Sequence, residues 1–203
     1  MWVKEKFYRL SLKKKFYLIF KILFIYFICT GISFSDFQKK LVDKLEATNT
    51  LSFDFRQKIA EKEEIGKCYI KYPLLMKCDY EDLKKKSVIS NGRTVAIIKK
   101  KYKKIYYYPI KTTPLFTILK KKQILDLVKN NKPKKINSKL IEYELIGKKT
   151  NTIKIFFDKN SLEFKGWETN DAYSNKVVFL ISSLKTNIII SSDFFKIPRE
   201  EDL

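Results

Sequence analysis

Residues 66–80, Gly-Lys-Cys-Tyr-Ile-Lys-Tyr-Pro-Leu-Leu-Met-Lys-Cys-Asp-Tyr, constrain the fold more than any other stretch. Cys68, Ile70 and Tyr72 share one parity before Pro73, and Leu74, Met76, Cys78 and Tyr80 share it after. Alternate side chains of a strand point to one face, so both arms present an apolar side. The segment predicts a β-hairpin at the start of a sheet with one oily face. If the arms pair one-to-one about Pro73, positions 68 and 78 stand opposite each other, at a separation a disulfide spans in a non-hydrogen-bonded pair. Cys68 and Cys78 are thus a disulfide candidate in an oxidising compartment and two buried thiols in a reducing one.

The compartment is read from the start of the chain. Residues 4–15 are basic, residues 22–32 are apolar, and Gly31, Ser33 and Ser35 supply the small-x-small pattern of a signal-peptide cleavage site after Ser33 or Ser35. An uncleaved anchor starting at Phe16 is the competing reading, but Lys21 interrupts it, and the remainder is short of the ~20 residues a membrane span needs. Cys29, between Ile28 and Thr30, lacks the small neighbours of a lipid-attachment cysteine and leaves with the signal. The expected organisation is a cleaved signal over residues 1–35 and a single domain over residues 36–203.

Charge narrows the partners. The chain carries 43 Lys+Arg against 22 Asp+Glu, a net charge of +21. Loss of residues 1–35 removes seven basic residues and one acid, leaving +15. Such an excess suits nucleic acid, an anionic membrane surface or an acidic protein. The lysines recur in short runs at 84–86, 99–101, 120–122 and 134–135 rather than in one basic arm, and the export signal argues against nucleic acid.

Taken in order, residues 36–47 place Phe37, Leu41, Val42 and Leu45 on one stripe, an amphipathic helix. Residues 51–59 alternate Leu51, Phe53, Phe55 and Ile59 with polar partners, a half-buried strand. Residues 61–64 read as a polar turn into the cysteine hairpin. Asn91-Gly92 predicts a type I′ hairpin turn, with Val88 and residues 95–98 on its arms. Residues 104–108 form an aromatic strand that Pro109 stops. Thr113-Pro114 then opens a helix, threonine as N-cap and proline in the first turn, followed by Leu115, Phe116, Ile118 and Leu119. Residues 123–128 give a second short helix. Strands return at 140–146, 152–157, 162–168, 176–184 and 186–190, and Phe194, Phe195 and Ile197 make a last apolar patch. About nine to eleven short strands in hairpin order, with one helix before them and a helical pair in the middle, define an α+β chain that is mainly antiparallel β. The architecture expected is a curved sheet or open barrel with helices on its concave apolar face.

Catalytic chemistry is sparse. There is no histidine, and the 5 glycines are too scattered for a phosphate loop or a nucleophile elbow. Two cysteines ten apart without histidine do not make a zinc site. The carboxylates Glu63 and Glu64, and Asp79, Glu81 and Asp82, sit among lysines in segments read as polar turns. Neither an enzyme, a metal nor a cofactor is expected.

The order of elements and several short motifs resemble the LolA family of periplasmic outer-membrane lipoprotein carriers. Phe53-Asp54-Phe55-Arg56-Gln57 is similar to that family's Phe-x-Gln strand. Gly66 with Tyr72-Pro73 is similar to its glycine strand and Arg-Pro turn, and residues 90–94 to its Ser-Asp-Gly-Lys hairpin. Thr113-Pro114-Leu115 resembles the start of its helical lid, and residues 164–168 and 195–198 its late segments. The resemblance implies an incomplete β-barrel of about 9–11 strands closed by an α-helical lid, near residues 113–130, over a hydrophobic cavity for acyl chains. It implies acylated lipoproteins as cargo, an inner-membrane ABC-type lipoprotein-releasing transporter as donor and an outer-membrane receptor as acceptor, with the carrier a monomer. Tyr72 stands where the family has the arginine that latches the lid. One hydroxyl replaces five donors, so a weaker polar latch is expected, with apolar contacts from Leu115, Phe116, Ile118 and Leu119 holding the lid. Parity selects Phe53, Phe55, Ile70, Tyr72 and Met76 on the sheet, and Leu115, Phe116 and Leu119 on the lid, as candidates for lipid contact; Trp167 is read as structural. Two rivals stand beside the carrier: a periplasmic lipid-binding or envelope-stress sensing module that does not transport, and a basic envelope protein with a solid core that acts by charge.

Overall fold

Eleven strands form one antiparallel sheet in the computed structural model, which describes residues 33–83, 85–146, 152–171 and 173–203. The predicted signal segment lies outside the described residues up to position 32. The chain divides into two units, residues 1–40 and 41–203, and the sheet belongs wholly to the second. In chain order the elements are α1 (Ser33–Ala47), β1 (Thr50–Ile59), β2 (Lys62–Lys71), β3 (Leu75–Tyr80), β4 (Lys86–Asn91), β5 (Thr94–Lys99) and β6 (Lys104–Pro109). Two short helices follow, α2 (Leu115–Leu119) and α3 (Lys121–Asn130), and then β7 (Lys135–Ile136), β8 (Leu140–Ile146), β9 (Thr152–Asp158), β10 (Phe164–Asn170) and β11 (Lys176–Thr186).

The strand order is β6-β5-β4-β3-β2-β1-β11-β10-β9-β8-β7. The chain builds outward from β1 to one edge at β6, then starts at the other edge with β7 and works back until β11 pairs with β1. The two edge strands do not pair with each other, so the barrel is incomplete. Residues 110–134, which contain α2 and α3, connect one free edge to the other. A helical cover across the opening follows from that connectivity.

Pairing settles which side chains share a face, because residues directly opposite in neighbouring strands point the same way. Phe53 pairs with Cys68 and Cys68 with Cys78; Leu51 pairs with Ile70 and Ile70 with Met76. Cys68 and Cys78 are joined in a disulfide, with Cα atoms 4.0 Å apart, as the one-to-one hairpin about Pro73 requires. Gly66 faces Phe55, and a Cβ there would lie 2.8 Å from the Phe55 ring and 2.2 Å from the Asp79 carbonyl oxygen. Only glycine admits that close approach.

The opposite face of the sheet is covered by the chain's own end. Ile89, Ala96, Ile98 and Ile105 form a buried cluster there, and Ile197 and Leu203 pack on it. Phe195 is buried, and Phe194 sets its edge against Tyr69 with ring centres 5.0 Å apart. The Glu200 Oε1 atom accepts the backbone N–H of Ile105, capping part of the β6 edge.

Several local expectations are corrected. Residues 62–64 belong to β2, not to a turn, because their charges are matched by neighbours: Glu63 pairs with Arg56, and Glu64 with Lys62 and Lys86. Asn91 is not at positive φ, so the turn is not type I′; its side-chain oxygen accepts the N–H groups of Arg93 and Thr94, and Gly92 takes φ +92. The Thr113 hydroxyl donates to the Ile110 carbonyl instead of capping α2. Residues 186–190 are not a separate strand: β11 ends at Thr186, where Asn187 takes φ +55 and its side chain binds Asn49 N–H and the Ala47 carbonyl. Strand β7, two residues long, had no periodicity to announce it.

Candidate functional site

The lid-side face of the sheet is a continuous apolar surface with an aromatic row. Phe55 packs edge-on to Tyr80 and stacks on Phe179 at 4.7 Å, and Phe179 stacks on Trp167 at 4.0 Å. The row continues through Phe164 and Phe157 to Tyr143, with neighbouring ring centres about 6 Å apart. It crosses from β3 through β1, β11, β10 and β9 to β8, so each strand contributes a ring at a position of matching parity. Offset and edge-on contacts of this kind stabilise by about 0.5–1.5 kcal/mol per pair beyond their buried area.

The sheet candidates Phe53, Phe55, Ile70 and Met76 all lie on this face and are buried. Tyr72 is partly exposed, in the turn beyond β2. On the lid, Leu119 is fully buried, whereas Leu115 and Phe116 are half-exposed, and the Lys120 ammonium sits 5.2 Å above the Phe116 ring. Ile118, Ile124, Leu127 and Val128 are the other buried lid residues. The sequence reading missed Phe157, Phe164 and Phe179 and set Trp167 apart. The signal available was the period-two alternation of residues 153–157 and 177–181, read there as strand pattern and not carried on to the lining.

A cavity of about 30 Å³ is lined by apolar residues such as Leu45, Leu51, Ile124 and Phe164 together with Tyr72 and the charged Lys44, Lys121 and Glu163. That is room for one or two waters and not for an acyl chain.

What holds the cover is polar as well as apolar. The Leu74 N–H donates to the Leu119 carbonyl at 3.1 Å, tying the end of α2 to the turn after Tyr72-Pro73. The Ser90 hydroxyl donates to the Leu74 carbonyl at 2.6 Å and fixes that turn. Glu46 holds α3: its backbone carbonyl accepts from Lys121 Nζ and its carboxylate from Lys129 Nζ, each at 2.6 Å. The Lys129 hydrogen bond and charge keep the Glu46 carboxyl below its ordinary pKa. The Tyr72 hydroxyl, whose pKa burial pushes up, has no hydrogen-bond partner among the described residues. The polar latch is therefore present, but it is supplied by the main chain of the same turn and by Glu46, not by the Tyr72 side chain.

The far end of the apolar face closes with a polar plug. Glu64 Oε2 accepts from Lys86 Nζ at 2.6 Å, Lys86 lies 3.6 Å over the Tyr80 ring, and the Tyr80 hydroxyl donates to Gln57 at 2.8 Å. Burial lowers the Lys86 pKa against the pull of Glu64, while the two ammonium groups of Lys62 and Lys86 outweigh burial at Glu64 and hold its carboxyl below the usual range. Beneath the lid, Gln123 Oε1 and the Tyr143 hydroxyl are buried without partners, and burial pushes the Tyr143 pKa up to about 12. Among the described residues no group of His, Cys, Asp or Glu could hold a metal, and no helix is long and apolar enough to cross a membrane.

An incomplete barrel with a lidded apolar face defines the class as a lipid-binding module. The chain belongs to the LolA family: the model of the outer membrane lipoprotein carrier protein LolA matches residues 46–198. No match is found among curated proteins. Among solved structures, an uncharacterized conserved protein from Thermus thermophilus aligns with TM-score 0.48 and 7% identity over 79% of this chain and 93% of its own. A LolA superfamily protein from Nitrosomonas europaea aligns with TM-score 0.41 and 8% identity over 78% of this chain and 97% of its own. The MucA/MucB complex of Pseudomonas aeruginosa aligns with TM-score 0.43 and 10% identity, over 82% and 61% respectively.

Proposed function

We propose that this protein is a periplasmic carrier that shelters the acyl chains of lipoproteins released by an inner-membrane ABC-type transporter and passes them to an outer-membrane receptor. The observation that carries the reading is the family match across residues 46–198, laid over an apolar sheet face whose cover is latched by few polar contacts. Each CH₂ removed from water contributes about 0.8 kcal/mol, so an acyl chain crossing an aqueous gap gains most from a wholly apolar lining. The sheet residues Phe53, Phe55, Ile70 and Met76 and the lid residues Leu115, Phe116 and Leu119 are the proposed lining, with Tyr72 at the hinge of the cover. Delivery then follows from a receptor that binds the chain more tightly, with no chemistry in the carrier.

The test is transfer itself. Purified protein is added with ATP to inner-membrane vesicles bearing the transporter, and soluble lipoprotein is assayed. A one-to-one soluble complex is the expected result. Its absence, with the transporter shown active on another carrier, would replace this reading with that of a lipid-binding or envelope-sensing relative that does not transport.

A further inference from the structure

Strand β6 is a free edge of the sheet, entered through a turn that is nearly all lysine: residues 99–104 read Lys-Lys-Lys-Tyr-Lys-Lys. Edge strands are commonly defended by charge along the strand, yet after Lys104 this one carries Ile-Tyr-Tyr-Tyr-Pro. Register puts Tyr106 and Tyr108 on the lid-side face and Tyr107 on the other. These rings are 43%, 43% and 55% exposed, and Tyr102 in the turn is 52% exposed. The charge around them is one-sided: residues 83–125 contain thirteen Lys and Arg and no Asp or Glu. Of the acids in the tail, Glu200 sits on the edge itself, accepting the Ile105 N–H, and Glu201 and Asp202 pair with Arg199. No carboxylate among the described residues forms an ion pair with the turn lysines, and Lys99 instead lies 5.1 Å over the Tyr106 ring.

We propose that this edge docks onto an anionic phospholipid bilayer. Ammonium groups are drawn to the negative surface, and tyrosine, with an apolar ring and a polar tip, settles at headgroup level. Exposed rings beside a run of ammonium groups, on the strand and in the turn that enters it, suit the boundary between headgroups and acyl chains. Because β6 runs directly into the segment that bears the lid, docking brings the lid to the membrane surface. The proposal extends the carrier reading without depending on it, since its test involves no lipoprotein.

The test is flotation of the purified protein with vesicles of phosphatidylcholine, with and without phosphatidylglycerol, parent and variants being compared in the same N-terminal form. Binding is expected only with phosphatidylglycerol and should weaken as salt rises. Replacing Lys100, Lys101, Lys103 and Lys104 by Gln should cost about fivefold per lysine, more than a hundredfold together, with the circular dichroism spectrum unchanged. Tyr102→Ser with Tyr107→Ser should weaken binding at every salt concentration without changing the salt slope. Absence of binding, equal binding to neutral vesicles, or a four-lysine variant that floats like the parent would each overturn the proposal. A tyrosine variant that binds as the parent does would overturn the part of the proposal that seats the rings at headgroup level and leave the lysines as the whole of the docking.

Discussion

Gly66 lies under the Phe55 ring, where even one methyl group has no room. Gly66→Ala must push the ring off Phe179 or the backbone off Asp79, and overpacking of this kind costs about 1–3 kcal/mol or more; chemical denaturation would measure it, and an unchanged midpoint would refute the close approach. Glu64 gives a pH-dependent counterpart. Its folded pKa lies below the ordinary 4.5, held there by Lys62 and Lys86 against burial. The stability it contributes is full above about pH 4.5 and is lost as pH falls through the lower folded value. Thermal unfolding followed from pH 6 to 3 should steepen below that point, and Glu64→Gln should flatten the acid limb; a limb that stays the same excludes the plug. Such residue detail was only partly legible in the sequence. Parity located Phe53, Phe55, Ile70 and Met76, because a strand has period two wherever one face is buried. It could not identify Lys86 as a partner of Glu64, because the two are 22 residues apart in the chain.

Among the elements, the helical pair was readable from Thr113-Pro114 and the apolar spacing, but its latch was not. A bond between Leu74 N–H and the Leu119 carbonyl has no side-chain signature; the resemblance pointed instead to Tyr72, at the place of the family's arginine, and its hydroxyl takes no part. Tyr72→Phe should accordingly leave cargo loading unchanged, whereas Ser90→Ala should loosen the turn and raise amide exchange in α2. Residues 115–130 should exchange faster than the central strands β1, β2 and β11, because few hydrogen bonds hold the pair to the sheet. Hydrogen-exchange mass spectrometry decides both, and protection of the pair equal to that of β1 would exclude a mobile cover. The strand count was legible because turn residues punctuate the chain. The outer boundaries of β2 and β11 were not, because salt bridges admit charged residues to the first and Asn187 ends the second.

In the molecule as a whole, two apolar faces share one sheet, and alternation alone does not say which face a lid covers. The tail resolves this by packing Ile197 on the cluster of Ile89, Ala96, Ile98 and Ile105. Ile197→Ala should lower global stability by about 1–2 kcal/mol with little effect on cargo loading, and a loading defect without a stability loss would reverse the assignment of faces. Order along the sheet has a mechanical consequence as well. The cover starts at the β6 edge and finishes at the β7 edge, so it is fastened at both ends, on opposite lips of the gap. A flap hinged at one end can swing free whatever the state of the sheet. A band stretched across a gap is drawn tight when the lips part and falls slack when they approach. Whatever wedges the sheet apart from inside therefore also tugs on α2 and α3.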